Sequence, residues 1–297
     1  MRLPLVGQGP GGTMRTIIMT GGTSGFGAET VRRLVSLGNT VLLGGRNEGP
    51  RGAQTLGLDL AKLDSVRSFV SLVSKTLGET PIDALILNAG VSIAGGTRTS
   101  DGFETTFAVN HLAHYLLLRL LLPRLARGAV VVMTTSGTYD PAEKTIIPPP
   151  RHAKARLLAY PDLDPALDAK SRIAGGRAYS SSKLCVLLTA RALARRREAH
   201  ATSLSVVAYD PGPTPGTGLV RNTNFAVRSV WWVLGTPLLL QFLHNMNSRS
   251  RAGGALAELA LGATRAKWKS IMGQIGHPPC DVTSPLWLPQ THLQMCA

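Results

Sequence analysis

The chain has 297 residues, 44% of them hydrophobic, and a formal net charge of +15 carried mostly by arginine. A chain of this length buries a sizeable core in one large α/β domain or two small ones. Its three cysteines, Cys185, Cys280 and Cys296, have neither paired nor metal-ligand spacing, which excludes a disulfide scaffold and a zinc module and makes a reduced cytoplasmic compartment the default.

Residues 1–13 hold Gly and Pro without an apolar core, so they read as a flexible N-terminal extension and not as a signal peptide; Met14 offers a second start. Apolar runs of strand length follow at 16–19, 41–43, 82–87, 129–133 and 204–208. Helical patterns separate them: Ala28, Val31, Leu34 and Val35 recur at helical spacing, and longer patterns cover 111–122 and 184–197. Strands alternating with helices predict a doubly wound parallel sheet, a Rossmann fold, as a single domain over 14–275. Residues 140–177 break the rhythm with Pro148-Pro-Pro150, Pro161 and Pro165. They read as an insertion at the rim of the site, either a substrate cap or a surface loop without consequence. Residues 219–250 read as a substrate lid. Their apolar run at 230–243 is broken by Gly235 and Pro237 and is shorter than the roughly 20 residues needed to span a bilayer. Residues 276–297 form a tail with no assigned structure.

Two motifs carry chemistry. The first is Thr20-Gly-Gly-Thr-Ser-Gly-Phe-Gly27, between the first strand and the first helix. Gly21, Gly25 and Gly27 lack a Cβ and let backbone approach a phosphate, and the helix N-terminus behind them favours an anion. The second strand then ends Leu43-Gly-Gly-Arg46-Asn47, with no carboxylate for ribose hydroxyls and a guanidinium suited to a 2′-phosphate. The cofactor expected is therefore NADP(H). The second motif is Tyr179-Ser-Ser-Ser-Lys183. One helical turn separates Tyr179 from Lys183, so both side chains reach one cleft. A nearby ammonium and the nicotinamide charge are expected to lower the phenol pKa from its usual value of about 10 and make Tyr179 a general acid or base.

These motifs, with Asp59-Leu60, Asn88-Ala89-Gly90, Asn110, Ser136 and Pro211-Gly212 in the same order, resemble the short-chain dehydrogenase/reductase superfamily. Val66-Arg-Ser-Phe69, Ser136-Gly-Thr-Tyr139 and Ser182-Lys-Leu-Cys185 look most like its branch of retinol dehydrogenases and protochlorophyllide reductases. Leu87 stands where protochlorophyllide reductases usually carry Cys, which weighs against that reaction itself. The resemblance implies catalytic roles for Asn110, Ser136, Tyr179 and Lys183, with Thr135 as the alternative to Ser136. It implies cofactor contacts at Gly21, Thr23, Ser24, Gly25, Phe26, Gly27, Arg46, Asp59, Leu60, Asn88, Ala89 and Gly90. Tyr179, Lys183, Pro211, Gly212 and either Thr217 or Thr214 complete that set. In this pattern Asn110 supports a water-linked proton path to Lys183. His111 and His114 read as packed or surface histidines, and Cys185 as a buried structural thiol.

Phe225, Trp231, Trp232 and Phe242 make the lid apolar, which suggests a lipophilic small-molecule carbonyl or alcohol as substrate. The same stretch also reads as a peripheral membrane contact or as a subunit contact. Val186, Leu187, Ala190, Leu193 and Ala194 form an apolar stripe that suggests a homodimer or homotetramer. No aromatic residues interleave with the arginines, so no nucleic acid is expected. The rival to an enzyme is a non-catalytic NADP(H)-binding redox sensor or scaffold on the same fold.

Overall fold

The computed structural model describes residues 14–215 and 246–262. Its strands pair as one parallel sheet in the order β3–β2–β1–β4–β5–β6. The strands are β1 Thr16–Thr20, β2 Thr40–Gly45, β3 Gln54–Gly57, β4 Ile82–Leu87, β5 Leu125–Thr134 and β6 Ser205–Tyr209. The order reverses between β1 and β4, and ligands bind at that switch point beyond the carboxyl ends of the strands.

Parallel strands are covered on both faces, so they read as continuous apolar runs and not as alternating ones. All five residues of β1 are buried. Because successive strand residues point to opposite faces, Ile17 and Met19 enter one core cluster and Ile18 the other. The first cluster lies under α1 (Gly25–Ser36) and the helix Arg249–Ala260, with Leu34 and Leu256 fully buried. The second lies under α2 (Leu63–Leu77), α4 (Ala113–Leu121) and α6 (Ser171–Ala194), around Phe69, Leu117 and Leu187. A short helix, α3 (Thr105–Phe107), and a π-helical turn (Ala108–Leu112) run directly into α4.

Three sequence expectations change. β3 gave no apolar signal because it is a four-residue edge strand with exposed ends. The stretch 140–177 is not irregular throughout: it holds α5 (Ala155–Ala159) and tight turns, and its last seven residues are the start of α6. Gly175 and Gly176, weak helix formers, sit there because neighbours press close. A Cβ on Gly175 would lie 2.2 Å from the carbonyl oxygen of Ile93, and one on Gly176 2.9 Å from Pro148. Finally, Val186, Leu187, Ala190 and Leu193 pack into the chain's own core, so the stripe is no evidence for a second subunit. Among the described residues, no helix is long and apolar enough to cross a membrane. The extension 1–13, most of the lid and the tail lie outside the described residues.

Candidate active site

The carboxyl ends of β1, β2, β4 and β5 meet in one crevice. The turn after β1 is tight enough to require glycine: Gly21 and Gly25 have φ of +68° and +60°. A Cβ on Gly27 would stand 2.0 Å from the carbonyl oxygen of Gly21, and one on Gly21 2.7 Å from the backbone of Ala89. Ser24 precedes α1 without capping it through its side chain, and no acidic residue lies in the first turn. The amides that open this helix therefore suit an anion. Thr23 reaches the end of β2, where its methyl would be 3.0 Å from a Cβ on Gly45. Arg46 follows β2, exposed. The donor set, an open helix end and a free-standing guanidinium, fits a phosphorylated dinucleotide. Asp59 accepts from the amide of Ala61 at 3.1 Å, and Leu60 packs into the core, so these two offer the crevice mainly backbone and one carboxylate edge.

Asn88 locks this end to β5. Its amide donates to the carbonyl oxygens of Gly21 and Thr20 at 3.0 and 3.4 Å, and its carbonyl accepts from the Thr134 hydroxyl at 3.1 Å. Gly90 faces the Asn110 amide oxygen and the Lys183 ammonium, each 3.5 Å from where its Cβ would be.

Helix α6 presents Tyr179 and Lys183 to the same crevice, and both are buried. Lys183 Nζ lies 5.7 Å from the Tyr179 ring centroid and donates to the carbonyl oxygen of Thr134 at 2.9 Å. Burial pushes the Lys183 pKa down to about 8, against a smaller upward pull from the Asp210 carboxylate. Burial likewise pushes the Tyr179 phenol up to about 12. Ser136 pulls it down through a side-chain hydrogen bond, and Asp210 raises it further. The protein's own groups therefore raise the phenol, whereas the expected lowering counted the nicotinamide charge as well. The ammonium donates to Thr134, and the cost of a buried phenolate dominates within the protein's own groups.

The two hydroxyls at the end of β5 divide their work. Thr135 is buried and donates to the carbonyl oxygen of Lys183 at 2.9 Å, so Ser136 is the one that meets Tyr179. Asn110 lies in the π-helical turn, a distortion common at functional sites. Its side chain holds both backbone groups of Val91, at 2.8 and 3.0 Å, and donates to Ser182 Oγ at 3.0 Å. Ser182 in turn donates to the carbonyl oxygen of Tyr179 at 2.7 Å.

His114 joins the two ends of the site. Its Nδ1 is 3.1 Å from the carbonyl oxygen of Asn110 and its Nε2 2.9 Å from Thr20 Oγ. A carbonyl only accepts, so Nδ1 carries the proton and Nε2 accepts from the Thr20 hydroxyl. That oxygen also accepts the amides of Asn88 and Ala89, at 3.0 and 3.1 Å. Burial lowers the His114 pKa to about 4, so the imidazole is neutral near neutrality. The packed reading of His114 holds, but the packing is a polar link between the dinucleotide turn and Asn110.

One residue of consequence was missed. Asp210 accepts from the amide of Gly137 at 2.6 Å and from that of Gly212 at 2.9 Å, tying the Ser136 turn to the loop after β6. Its signal was a carboxylate directly before Pro211-Gly212. Gly212 has φ of +63°, and buried Thr214 donates to its carbonyl oxygen at 3.1 Å. Asn247 pins the same loop by donating to the Pro211 carbonyl oxygen at 3.0 Å. Thr217, Phe225, Trp231, Trp232 and Phe242 lie outside the described residues.

Comparison with known proteins agrees with this geometry. Residues 15–144 match the family model of short chain dehydrogenases. The chain is 28% identical to a protochlorophyllide reductase of Daucus carota over 90% of this chain and 74% of that protein. It is 33% identical to a polyprenol dehydrogenase of Mus musculus over 79% of this chain and 69% of that protein. Against other relatives the matched stretch falls to 52% of the relative's length. Its fold matches a blue fluorescent protein from a metagenomic library, solved with NADPH, with a TM-score of 0.55 and 21% identity over 82% of this chain and 90% of that one.

Proposed function

The chain belongs to the short-chain dehydrogenase family of oxidoreductases, and from that premise we propose that it is an NADP(H)-dependent enzyme interconverting a carbonyl and an alcohol on a lipophilic small molecule. The observation that carries this reading is the convergence of Ser136, Tyr179 and Lys183 at the mouth of the β1–β4 crevice.

The turn from Gly21 to Gly27 and the opening of α1 hold the cofactor phosphates, with Thr23, Ser24, Gly25 and Phe26 in contact. Arg46 binds the 2′-phosphate, and Asp59 and Leu60 flank the adenine. Asn88, Ala89 and Gly90 support the adenosine side, and Pro211, Gly212 and Thr214 close over the nicotinamide end. NADP(H) held by these residues would supply the hydride in reduction and take it up in oxidation. In reduction Tyr179 gives its phenolic proton to the substrate oxygen, and in oxidation it takes that proton back. Ser136 donates to the same oxygen and polarises it. Lys183, held by Thr134, carries the positive charge beside the phenol and anchors the ribose. Asn110 fixes Val91 and Ser182, and with them the height of α6 in the crevice. Burial keeps water from the reacting oxygen.

The lipophilic substrate rests on the apolar lid sequence and on the name of the polyprenol dehydrogenase relative. The test is turnover of NADPH and NADH over a panel of long-chain aldehydes, apolar ketones and quinones. NADPH consumption that vanishes in Tyr179→Phe, with NADPH binding retained, supports the reading. Binding without turnover of any member turns the argument toward a redox sensor, and absence of binding overturns it.

A further inference from the structure

Helix α6 has a second functional face. Ala174, Ala178 and Ser181 lie along one stripe, at spacings of four and three, and line a half-open cavity of about 230 Å³. At about 100° per residue, Lys183 lies roughly 140–200° around the helix from each of them. Neither Tyr179 nor Lys183 borders this cavity. Its opposite wall comes from the insertion, through Leu157, Leu158 and Leu167.

The charges around the cavity are already committed. Arg151 and Arg177 both pair with Asp168, Arg98 with Asp162, and His152 with Asp164. Glu104 accepts the amides of Thr106 and Phe107 at 3.1 and 2.6 Å. Every arginine on the wall is thus paired with a carboxylate, which leaves none free to draw an anion. The remaining polar feature is the Ser181 hydroxyl, on a residue 1% exposed that lines the cavity. A hydroxyl on the wall can donate to an oxygen of an occupant or accept from it.

We propose that this cavity is a second binding site, separate from the catalytic crevice, for a small neutral molecule with an apolar body and one hydrogen-bonding oxygen that meets Ser181. The size is adequate, since an engineered apolar cavity of about 150 Å³ takes up benzene. The occupant bridges the insertion to the helix whose other side carries Tyr179 and Lys183.

The test uses the full chain with 13C-labelled leucine and valine methyls, titrated with p-cresol and with toluene, which lacks the hydroxyl. Saturable shifts at Leu157, Leu158 and Leu167 are expected for both, with p-cresol the tighter. Ala178→Phe, which fills the cavity, should abolish them. Ser181→Ala should weaken p-cresol about two- to tenfold, the worth of one hydrogen bond, and leave toluene unchanged. Should Ala178→Phe fail to fold, Ser181→Ala alone decides. No saturable shift at these leucines overturns the proposal. So do shifts confined to Val91 beside Asn110, shifts that persist in folded Ala178→Phe, or p-cresol binding indifferent to Ser181→Ala.

Discussion

The hydroxyl of Thr135 donates to the carbonyl oxygen of Lys183 at 2.9 Å, across 48 residues of chain. This bond consumes the first of two adjacent hydroxyls at the end of β5 and turns the second, Ser136, toward the Tyr179 phenol. Ser136→Ala should therefore lower kcat about 100- to 1,000-fold, the usual cost of one lost donor at a reacting oxygen, with NADPH affinity unchanged. Thr135→Val should lower the melting temperature by a larger margin than Ser136→Ala, because it removes a buried hydrogen bond between β5 and α6. Steady-state kinetics and thermal melts of the two variants check the division. Equal kinetic losses in both would remove it.

Arg46 stands exposed at the end of β2, with no acidic partner among the ion pairs of the described residues. Arg46→Ala should weaken NADPH about tenfold to 100-fold, the range for a lost charge-assisted contact, and change NADH by much less. Fluorescence titration of both cofactors measures this. Equal weakening of both would mean that Arg46 does not read the 2′-phosphate.

Asp210 places a carboxylate beside Tyr179 and Lys183 and raises the pKa of both. Asp210→Asn removes that charge while keeping an acceptor for one of the two amides, so both values should fall. In the oxidation direction Tyr179 must accept a proton, and the rate should climb with pH across the neutral and alkaline range. The Asp210→Asn profile should be displaced toward lower pH. A profile that does not move would show that Asp210 acts only as a tether.

His114 should make folding stability depend on pH. Its folded pKa is about 4, below the ordinary 6.5, so between those values the unfolded chain binds the proton and the folded chain does not. Stability is then complete above about pH 6.5 and falls as the pH drops toward 4, by an amount on the order of 3 kcal/mol. His111 adds less, because it is only half-buried and water screens it. Urea unfolding at pH 7 and pH 5 gives the slope. The slope should flatten in His114→Gln, whose side chain cannot titrate.

Much of the architecture was readable from local pattern. Five of the six strands are apolar runs because the sheet is covered on both faces, and a run of that kind is visible without any partner. β3 escaped because an edge strand carries no such run. Gly21 and Gly27 marked the turn because backbone crowding at 2.0 to 2.7 Å admits no other residue, a constraint that belongs to those positions alone.

The order of the motifs and the spacing of Tyr179 and Lys183 on one helix determined the fold class and the place of the chemistry, since helical and strand periods are local properties of the chain. Tertiary structure alone decided the rest. It chose Ser136 over Thr135 through a bond to α6, raised Tyr179 where proximity of Lys183 suggested lowering, and spent the apolar stripe of α6 inside the core. It also laid the insertion against the far side of α6. Each of these depends on which distant groups desolvate or hydrogen-bond a side chain, and no local period records that.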